Sequence, residues 1–158
     1  MSLLAFFKLC EHSAMGEAIR DSRWLFPVIE CFHLLGLAVI GGAVLVVDLR
    51  LAGVGFRSQP VAQLARDAQR WLIGSLMVMV ASGTLLFTSE AIKCYYHAAF
   101  WVKMTCLFLA IVFTFTVHRK VAMADENQVR PLWNRLVALI SVMLWAGVGI
   151  GGRWIGFS

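Results

Sequence analysis

The sequence has few charged residues for its length, and this scarcity excludes most soluble folds. Charged residues make up 15% of the 158 residues, hydrophobic residues make up 60%, and the mean hydropathy is +0.78. Soluble domains carry about one charged residue in four. The composition therefore predicts an integral membrane protein and not a soluble domain with a large core.

The cysteines lack the spacing of a metal site, and the N-terminal stretch lacks the pattern of a cleaved signal peptide. The four cysteines show no CxxC or other paired metal spacing, so we expect buried thiols. Cys10 and Cys94 fall on the same side of the predicted membrane, which leaves a disulfide between them open. Polar residues interrupt the first apolar stretch before any plausible cleavage site, so we expect no cleaved signal peptide.

Four apolar segments are long enough to approach a membrane span. They cover residues 24–47, 71–88, 98–117 and 136–152. These segments predict an all-α fold, an integral membrane four-helix bundle over residues 24–158. The N-terminal stretch, residues 1–23, is too mixed to span and predicts an amphipathic helical segment at the membrane interface.

The net charge of +5 is distributed unequally between the two sides of the predicted membrane. Arginine and lysine are more frequent in the two predicted loops, residues 48–70 and 118–135, than on the opposite side. By the positive-inside rule these loops are cytoplasmic, and both termini are then outside. The positive charge therefore predicts contact with membrane lipid and not with nucleic acid.

The first predicted helix carries two ionisable residues at membrane depth. Glu30 and His33 stand three residues apart, on one face of a helix. An ionisable side chain at this depth is costly unless it faces a partner, a cofactor or water. Helical spacing continues the stripe to Asp48, and we expect the whole stripe to face the protein interior.

The third predicted helix carries Lys103 close to its outer end. Lys103 shares a polar stripe with Cys106 and Thr114, although snorkelling toward the headgroups is an equally good reading. His97 and His118 flank this helix and are 21 residues apart, about 31 Å at helical rise, so one small cofactor cannot bind both. We expect His118, which precedes two further cations, to be solvated or to face lipid.

Depth along the helices brings four polar residues to similar heights in the outer half of the bundle. They are Glu30, His33, Lys103 and Arg153, from three helices. A buried histidine can ligate haem iron, and a cation near the membrane face can pair with a propionate. We therefore predict that His33 binds the metal, that Lys103 and Arg153 contact the cofactor, and that Glu30 and Lys103 are catalytic.

Other metals fit these residues less well. A di-iron carboxylate site draws glutamates from several helices, and the sequence offers only Glu30-x-x-His33. A copper site at His33 with a nearby cysteine or methionine is not supported by any cluster of histidines or methionines in the sequence. The glycine-rich end of the fourth helix suits either a flat ligand or close helix packing. A haem has a second axial position. The alternatives for it are His97, His12 or no ligand from the chain.

Two stretches of the chain resemble the HemJ-type protoporphyrinogen oxidases. They are ECFHLLGLAVIGGAVLVVDLRLAG, residues 30–53, and FWVKMTCLFLAIVFTFTVHRK, residues 100–120. Members of that family are small bacterial helical membrane proteins that bind haem b, and the resemblance carries their functional histidine to His33 and their lysine to Lys103. It implies haem b as the cofactor and the bacterial cytoplasmic membrane as the location. Copper-resistance CopD-type membrane domains have a similar histidine-bearing helix.

Three functions follow as expectations. The first is a b-type haem protein in the membrane that acts in electron transfer or in porphyrinogen- or quinone-linked oxidation. Its partners would be a quinone, a porphyrinogen or a redox protein. The alternatives are a CopD-like metal-handling module and a non-catalytic structural subunit, and a homo-oligomer is compatible with each.

Overall fold

A computed structural model describes residues 3–54, 60–124 and 131–156, and every regular element in these ranges is a helix. In chain order the elements are α1 (Leu3–Glu11), α2 (Ala14–Asp21), α3 (Leu25–Leu51), α4 (Val61–Ser89), α5 (Ala91–Tyr96), α6 (Ala98–Phe113), a π-helical turn (Thr114–His118), α7 (Arg119–Ala122) and α8 (Pro131–Gly156).

Four of the helical stretches are long and apolar enough to cross a membrane. They are Leu25–Leu51, Val61–Ser89, Ala98–Ala122 and Pro131–Trp154. The predicted all-α membrane bundle is therefore confirmed, and the chain is a multi-pass membrane protein. Each helix is longer than its predicted apolar segment, because the polar turns that flank the apolar part continue the same helix.

The helix ends follow from local chemistry. Pro27 and Pro131 stand in the first turns of α3 and α8, where a missing N–H costs no helical hydrogen bond. Gly53 ends α3 with a positive φ of 77°. The N–H of Val54 donates to the carbonyl of Leu49 at 3.0 Å, and the N–H of Gly53 donates to that of Arg50 at 3.1 Å, which is the Schellman pattern.

The bundle has two ends with different architecture. At one end α3 and α7 finish and α4 and α8 begin, and we call this the loop end. At the other end α1, α2 and α5 cover the helix termini, and we call this the cap end. Inside, α3 packs against α4 and α8, and α8 packs against α6. The central core is apolar and includes Ile40, Val44, Met79, Trp145 and Val148.

The N-terminal segment is docked on the bundle and does not lie apart from it. Phe7 of α1 is buried, and its ring contacts the rings of Phe87, Tyr95, Phe100 and Trp101. Other apolar side chains of α1 are exposed, as an interfacial helix requires. This segment therefore packs on the cap end through one face and leaves its other face outward.

Two polar contacts hold the same segment in place. The Glu11 carboxylate accepts a hydrogen bond from the N–H of Ile92 at 2.5 Å, in the first turn of α5. The Arg20 guanidinium donates to the carbonyl of Ser89 at 3.0 Å and lies 3.5 Å from the Glu11 carboxylate. Because both contacts reach the junction between α4 and α5, they fix α1 and α2 over the cap end.

Candidate functional site

His33 is buried between α3 and α4 near the cap end. Its side chain is only 9% exposed, and Nδ1 lies 3.0 Å from the hydroxyl oxygen of Ser82. The Ser82 hydroxyl donates to the carbonyl of Val78 at 2.6 Å, so its oxygen accepts from an Nδ1–H of His33. This arrangement favours the tautomer with the proton on Nδ1, in which Nε2 is the basic nitrogen.

A glycine on α4 makes room for the imidazole. A methyl group built on Gly83 would lie 3.1 Å from Cε1 of His33, closer than carbon atoms normally approach. One turn further along α3, Gly36 lies equally close to Met79 of α4. These two glycines therefore allow α3 and α4 to approach closely, and the ring of His33 fills part of the space between them.

Lys103 is half-buried on α6 and lies across the end of α8. A methyl group built on Gly152 would be 3.3 Å from Nζ of Lys103, and one on Gly151 would be 3.2 Å from its Cβ. Its ammonium group acts electrostatically on both His33 and Cys94. Within the described ranges no carboxylate lies at ion-pair distance from Lys103. Lys103 thus has no counter-ion among the described residues.

Three glycines of α8 are used for close helix packing. Cys106 Sγ would lie 3.1 Å from a methyl group on Gly147, and Lys103 covers Gly151 and Gly152. At these three positions the structure has a tight contact between helices and not a surface for a flat ligand. A methyl group on Gly149, in contrast, would meet nothing within 4 Å.

Glu30 does not face the interior, and here the sequence prediction was wrong. Its side chain is exposed on α3. The buried face of the helix runs through His33, Gly36 and Ile40, and Glu30 lies roughly 60° around the helix from His33. Glu30 makes no ion pair with Lys103, so the predicted catalytic pair is not brought together.

The remaining predicted cofactor residues lie around the cap end. His12 is exposed in the turn between α1 and α2. His97 is half-buried where α5 ends and α6 begins, and Arg153 is exposed near the end of α8. The structure thus separates these three residues into different elements at the rim of the bundle, while His33 and Lys103 lie deeper.

The cysteines are free thiols, so the disulfide that the sequence left open between Cys10 and Cys94 is not formed. Both residues belong to the aromatic cluster under α1. Burial raises the pKa of the Cys94 thiol from 9.0 to about 11, and the nearby Glu90 carboxylate adds to the effect. At neutral pH Cys94 is therefore an uncharged thiol with little reactivity as a nucleophile.

A second buried histidine lies at the loop end, where the sequence predicted an exposed cation. His118 is 6% exposed, and its Nε2 is 2.8 Å from Oδ1 of Asp48, which is 2% exposed. His118 closes the π-helical turn, a feature that is frequent at functional sites. The missed signal was present in the sequence, because the stripe of Lys103 and Thr114 continues in one turn to His118, and the His33 stripe ends at Asp48.

A small cavity adjoins His118. Its volume is about 40 Å³, which is enough for one water molecule. Residues of α3, α4, the π-helical turn and α7 line it, including Thr114, Gln69 and Arg119. A second cavity of about 330 Å³ opens at the loop end beside Arg50 and Arg135.

Neither histidine belongs to a larger group of metal ligands. Among residues 3–54, 60–124 and 131–156, no three His, Cys, Asp or Glu side chains come together in a way that could hold a metal ion. A metal bound at His33 would need its other ligands from the cofactor itself, from solvent or from a partner.

Comparison with known proteins places the chain in a family. No functionally curated protein and no solved structure matches the sequence significantly. Residues 6–158 match DUF6644, which is described as a family of unknown function. The match covers α2 to α8 and the last two thirds of α1, so it includes both buried histidines. The chain belongs to the DUF6644 family.

Proposed function

We propose that this protein is a membrane-embedded b-type haem protein that acts in electron transfer or in porphyrinogen- or quinone-linked oxidation. The observation that carries the proposal is the state of His33. Its Nδ1–H is held by the Ser82 hydroxyl at 3.0 Å, so Nε2 is the nitrogen that would bind iron. Ligating histidines in metalloproteins are oriented in this way through their second nitrogen.

The charge of Lys103 supports the same proposal. A half-buried ammonium without a carboxylate nearby favours an anionic ligand, and haem b carries two propionates. Lys103 and the exposed Arg153 are the residues that would pair with them. Lys103 and Cys106 fill the surface at Gly147, Gly151 and Gly152, so a porphyrin at these positions would contact the Lys103 side chain and not the bare backbone.

In this proposal the haem and the chain have different roles. Bound haem supplies one-electron chemistry. His33 would hold the iron, Ser82 would orient the imidazole, and the apolar bundle would exclude water from the site. His12 is exposed and His97 lies at the rim, so His33 is the histidine that would hold the haem from inside the bundle. Glu30 is not part of this proposal, because its side chain faces outward.

Absorption spectroscopy of the purified protein tests the proposal. Protein produced with excess haem should show a Soret band, and His33→Ala should lose it while remaining folded. The matched control is His118→Ala, which removes the other buried histidine and should keep the band. A folded His33→Ala variant with full Soret absorbance would overturn the proposal. A colourless protein with stoichiometric copper would instead support the CopD-like reading.

The proposed setting is the bacterial cytoplasmic membrane with both termini outside. It is supported by the excess of arginine and lysine in the segments that flank the loop end. A reporter fused after Ser158 that is active only outside the cytoplasm should show activity. Activity of a cytoplasmic reporter at the same position would reverse the orientation.

A further inference from the structure

The larger cavity at the loop end has no role in the proposed haem site, because His33 lies near the other end of the bundle. Its volume is about 330 Å³, just above the lower limit of about 300 Å³ for pockets that hold small molecules. The end of α3, the first turns of α4 and α8, and the end of α7 surround it. The described residues that line this loop-end cavity include Arg50 and Arg135 but no aspartate or glutamate. Its charge therefore suits an anion and not a cation.

Asn134 is a buried polar side chain in the wall of this cavity. It is 8% exposed, and its amide makes no hydrogen bond to any described residue. A buried amide normally has a hydrogen-bond partner. Since Asn134 lines the cavity, the partner that the fold leaves room for is a molecule inside it. Its amide group offers two N–H donors to such a molecule.

The first turn of α4 also borders the loop-end cavity. Val61, the first residue of this helix, lines the cavity, and Pro60 before it provides no side-chain cap. The first N–H groups of a helix have no acceptor within the helix and carry a partial positive charge. An anion near a helix N-terminus is stabilised by both. This turn therefore adds to the preference of the arginines for an anion.

The C-terminus of α3, which is the negative end of a helix dipole, lies at the same cavity. The backbone N–H groups of its last turn and of the residues after it occupy the carbonyls of three successive residues, Asp48, Leu49 and Arg50. A helix end closed in this way presents fewer free carbonyl oxygens to an anion. The same helix also places Arg50 in the cavity wall. The end of α3 is therefore compatible with a bound anion.

Arg135 brings a full positive charge to the level of the lipid headgroups. It is exposed in the second turn of α8 and makes no ion pair with a described carboxylate. Trp133, two residues earlier, is 54% exposed, and the apolar part of the helix begins at Leu136. Exposed tryptophan beside the end of an apolar span is typical of the membrane interface. The loop-end cavity thus lies at the depth where lipid phosphates are found.

We propose that the loop-end cavity binds an anionic phosphate group. The Arg135 guanidinium pairs with the phosphate oxygens, for which its parallel N–H groups are the geometric match. Asn134 donates an amide N–H, and the N-terminus of α4 stabilises the negative charge. The headgroup of an anionic lipid and a soluble phosphate both present this chemistry. The proposal stands apart from the haem site and does not depend on it.

Binding to the intact protein in a neutral detergent tests the site and separates the two sources. The probes are phosphatidylglycerol, diacylglycerol with the same acyl chains, and inorganic phosphate. Native mass spectrometry measures the retained lipid, and equilibrium dialysis measures inorganic phosphate. We expect phosphatidylglycerol or inorganic phosphate to bind and diacylglycerol, which has no phosphate, to be released. Retained phosphatidylglycerol that inorganic phosphate does not displace identifies a lipid headgroup, whereas displacement or direct binding identifies soluble phosphate.

Variants locate the bound phosphate in the loop-end cavity. Arg135→Gln should weaken binding at least about tenfold, because charge-assisted hydrogen bonds are lost. Arg70→Gln is the matched control, since it removes an exposed arginine of the loop end that does not line the described cavities, and it should leave the affinity nearly unchanged. Asn134→Leu removes the amide donors at similar volume and should weaken binding about fivefold. If that variant does not fold, Arg135→Gln decides.

Two results would overturn the proposal. One is an equal phosphate affinity in Arg135→Gln and Arg70→Gln, which would place the binding outside the cavity. The other is a native protein that binds no inorganic phosphate and retains phosphatidylglycerol no better than diacylglycerol.

Discussion

The two buried histidines differ in the group that holds them, and this difference separates their chemistry. His33 at the cap end is held by the hydroxyl of Ser82, and His118 at the loop end is held by the carboxylate of Asp48. A neutral hydroxyl fixes the ring but adds no charge, so Nε2 stays available as a ligand. The Asp48 carboxylate occupies Nε2 of His118, so this nitrogen is not available as a ligand.

The two ends also differ in charge balance. Near His33 the half-buried cation Lys103 has no described carboxylate at ion-pair distance, whereas the buried anion Asp48 contacts His118 directly. Lys103 therefore has no counter-ion among the described residues, and an anionic ligand can supply one. Asp48 at the loop end already has a partner in His118. Variants at each end of the bundle test one side of this contrast.

The largest effect is expected from Asp48→Ala. Removal of the carboxylate leaves His118 buried without its partner, and we expect the free energy of unfolding to fall by about 3 kcal/mol. Unfolding in mixed detergent–SDS micelles measures it. The control is Asp67→Ala, an exposed aspartate of α4, which should change stability by less than about 0.5 kcal/mol. A double variant with His118→Ala should cost less than the sum of the single changes, and strict additivity would show that the two residues do not interact.

At the cap end, Ser82→Ala should weaken haem binding without removing it. Loss of a residue that orients a metal-bound histidine typically costs about 10-fold to 100-fold in affinity. Haem titration followed by the Soret band measures the change. Ser75→Ala is the control, since Ser75 lies seven residues before Ser82 on the same helix, and its hydroxyl bonds only backbone carbonyls among the described residues. Equal affinities in the two variants would mean that Ser82 does not orient the ligand.

Lys103→Met should change the free energy of unfolding in the opposite direction to Asp48→Ala. Methionine keeps the stem that packs on Gly151 and Gly152 and removes the unbalanced charge, so haem-free protein should gain about 1 kcal/mol. Lys93→Met removes an exposed lysine that lies 3.8 Å from Glu90 and should change little. A loss of stability in Lys103→Met would show that the ammonium is balanced by a contact that the proposal lacks.

Hydrophobic length was enough to predict the four helices, but not their polar ends. The predicted segment 71–88 became a helix from Val61 to Ser89, because the amphipathic turns before Trp71 join it without a break. Similarly, α8 begins at Pro131, five residues before its apolar segment. Charged turns outside the apolar part add no hydropathy signal, yet they continue the backbone hydrogen bonding of the helix.

The burial of His33 could be predicted from the cost of an ionisable group in the membrane. Which residues surround it could not be predicted. Helical spacing alone put Glu30 on the same stripe, but the rotation of α3 is set by close contact with α4 at Gly36 and Gly83. His118 was misplaced for a related reason. Its neighbours Arg119 and Lys120 suggested solvent, while the π-helical turn directs the ring inward against Asp48.

The smallest effect, from Gly83→Ala, tests how tightly α4 holds the His33 ring. The new methyl group would lie 3.1 Å from Cε1, so the ring must shift by a few tenths of an ångström. Gly74→Ala is the matched control on the same helix, since a methyl group there meets nothing within 4 Å. Both changes gain the same helix propensity, about 1 kcal/mol, so the difference between their unfolding free energies reports the contact with His33. We expect Gly83→Ala to be the less stable by about 1 kcal/mol. No difference would mean that the ring moves freely, and Ser82 alone would then orient His33.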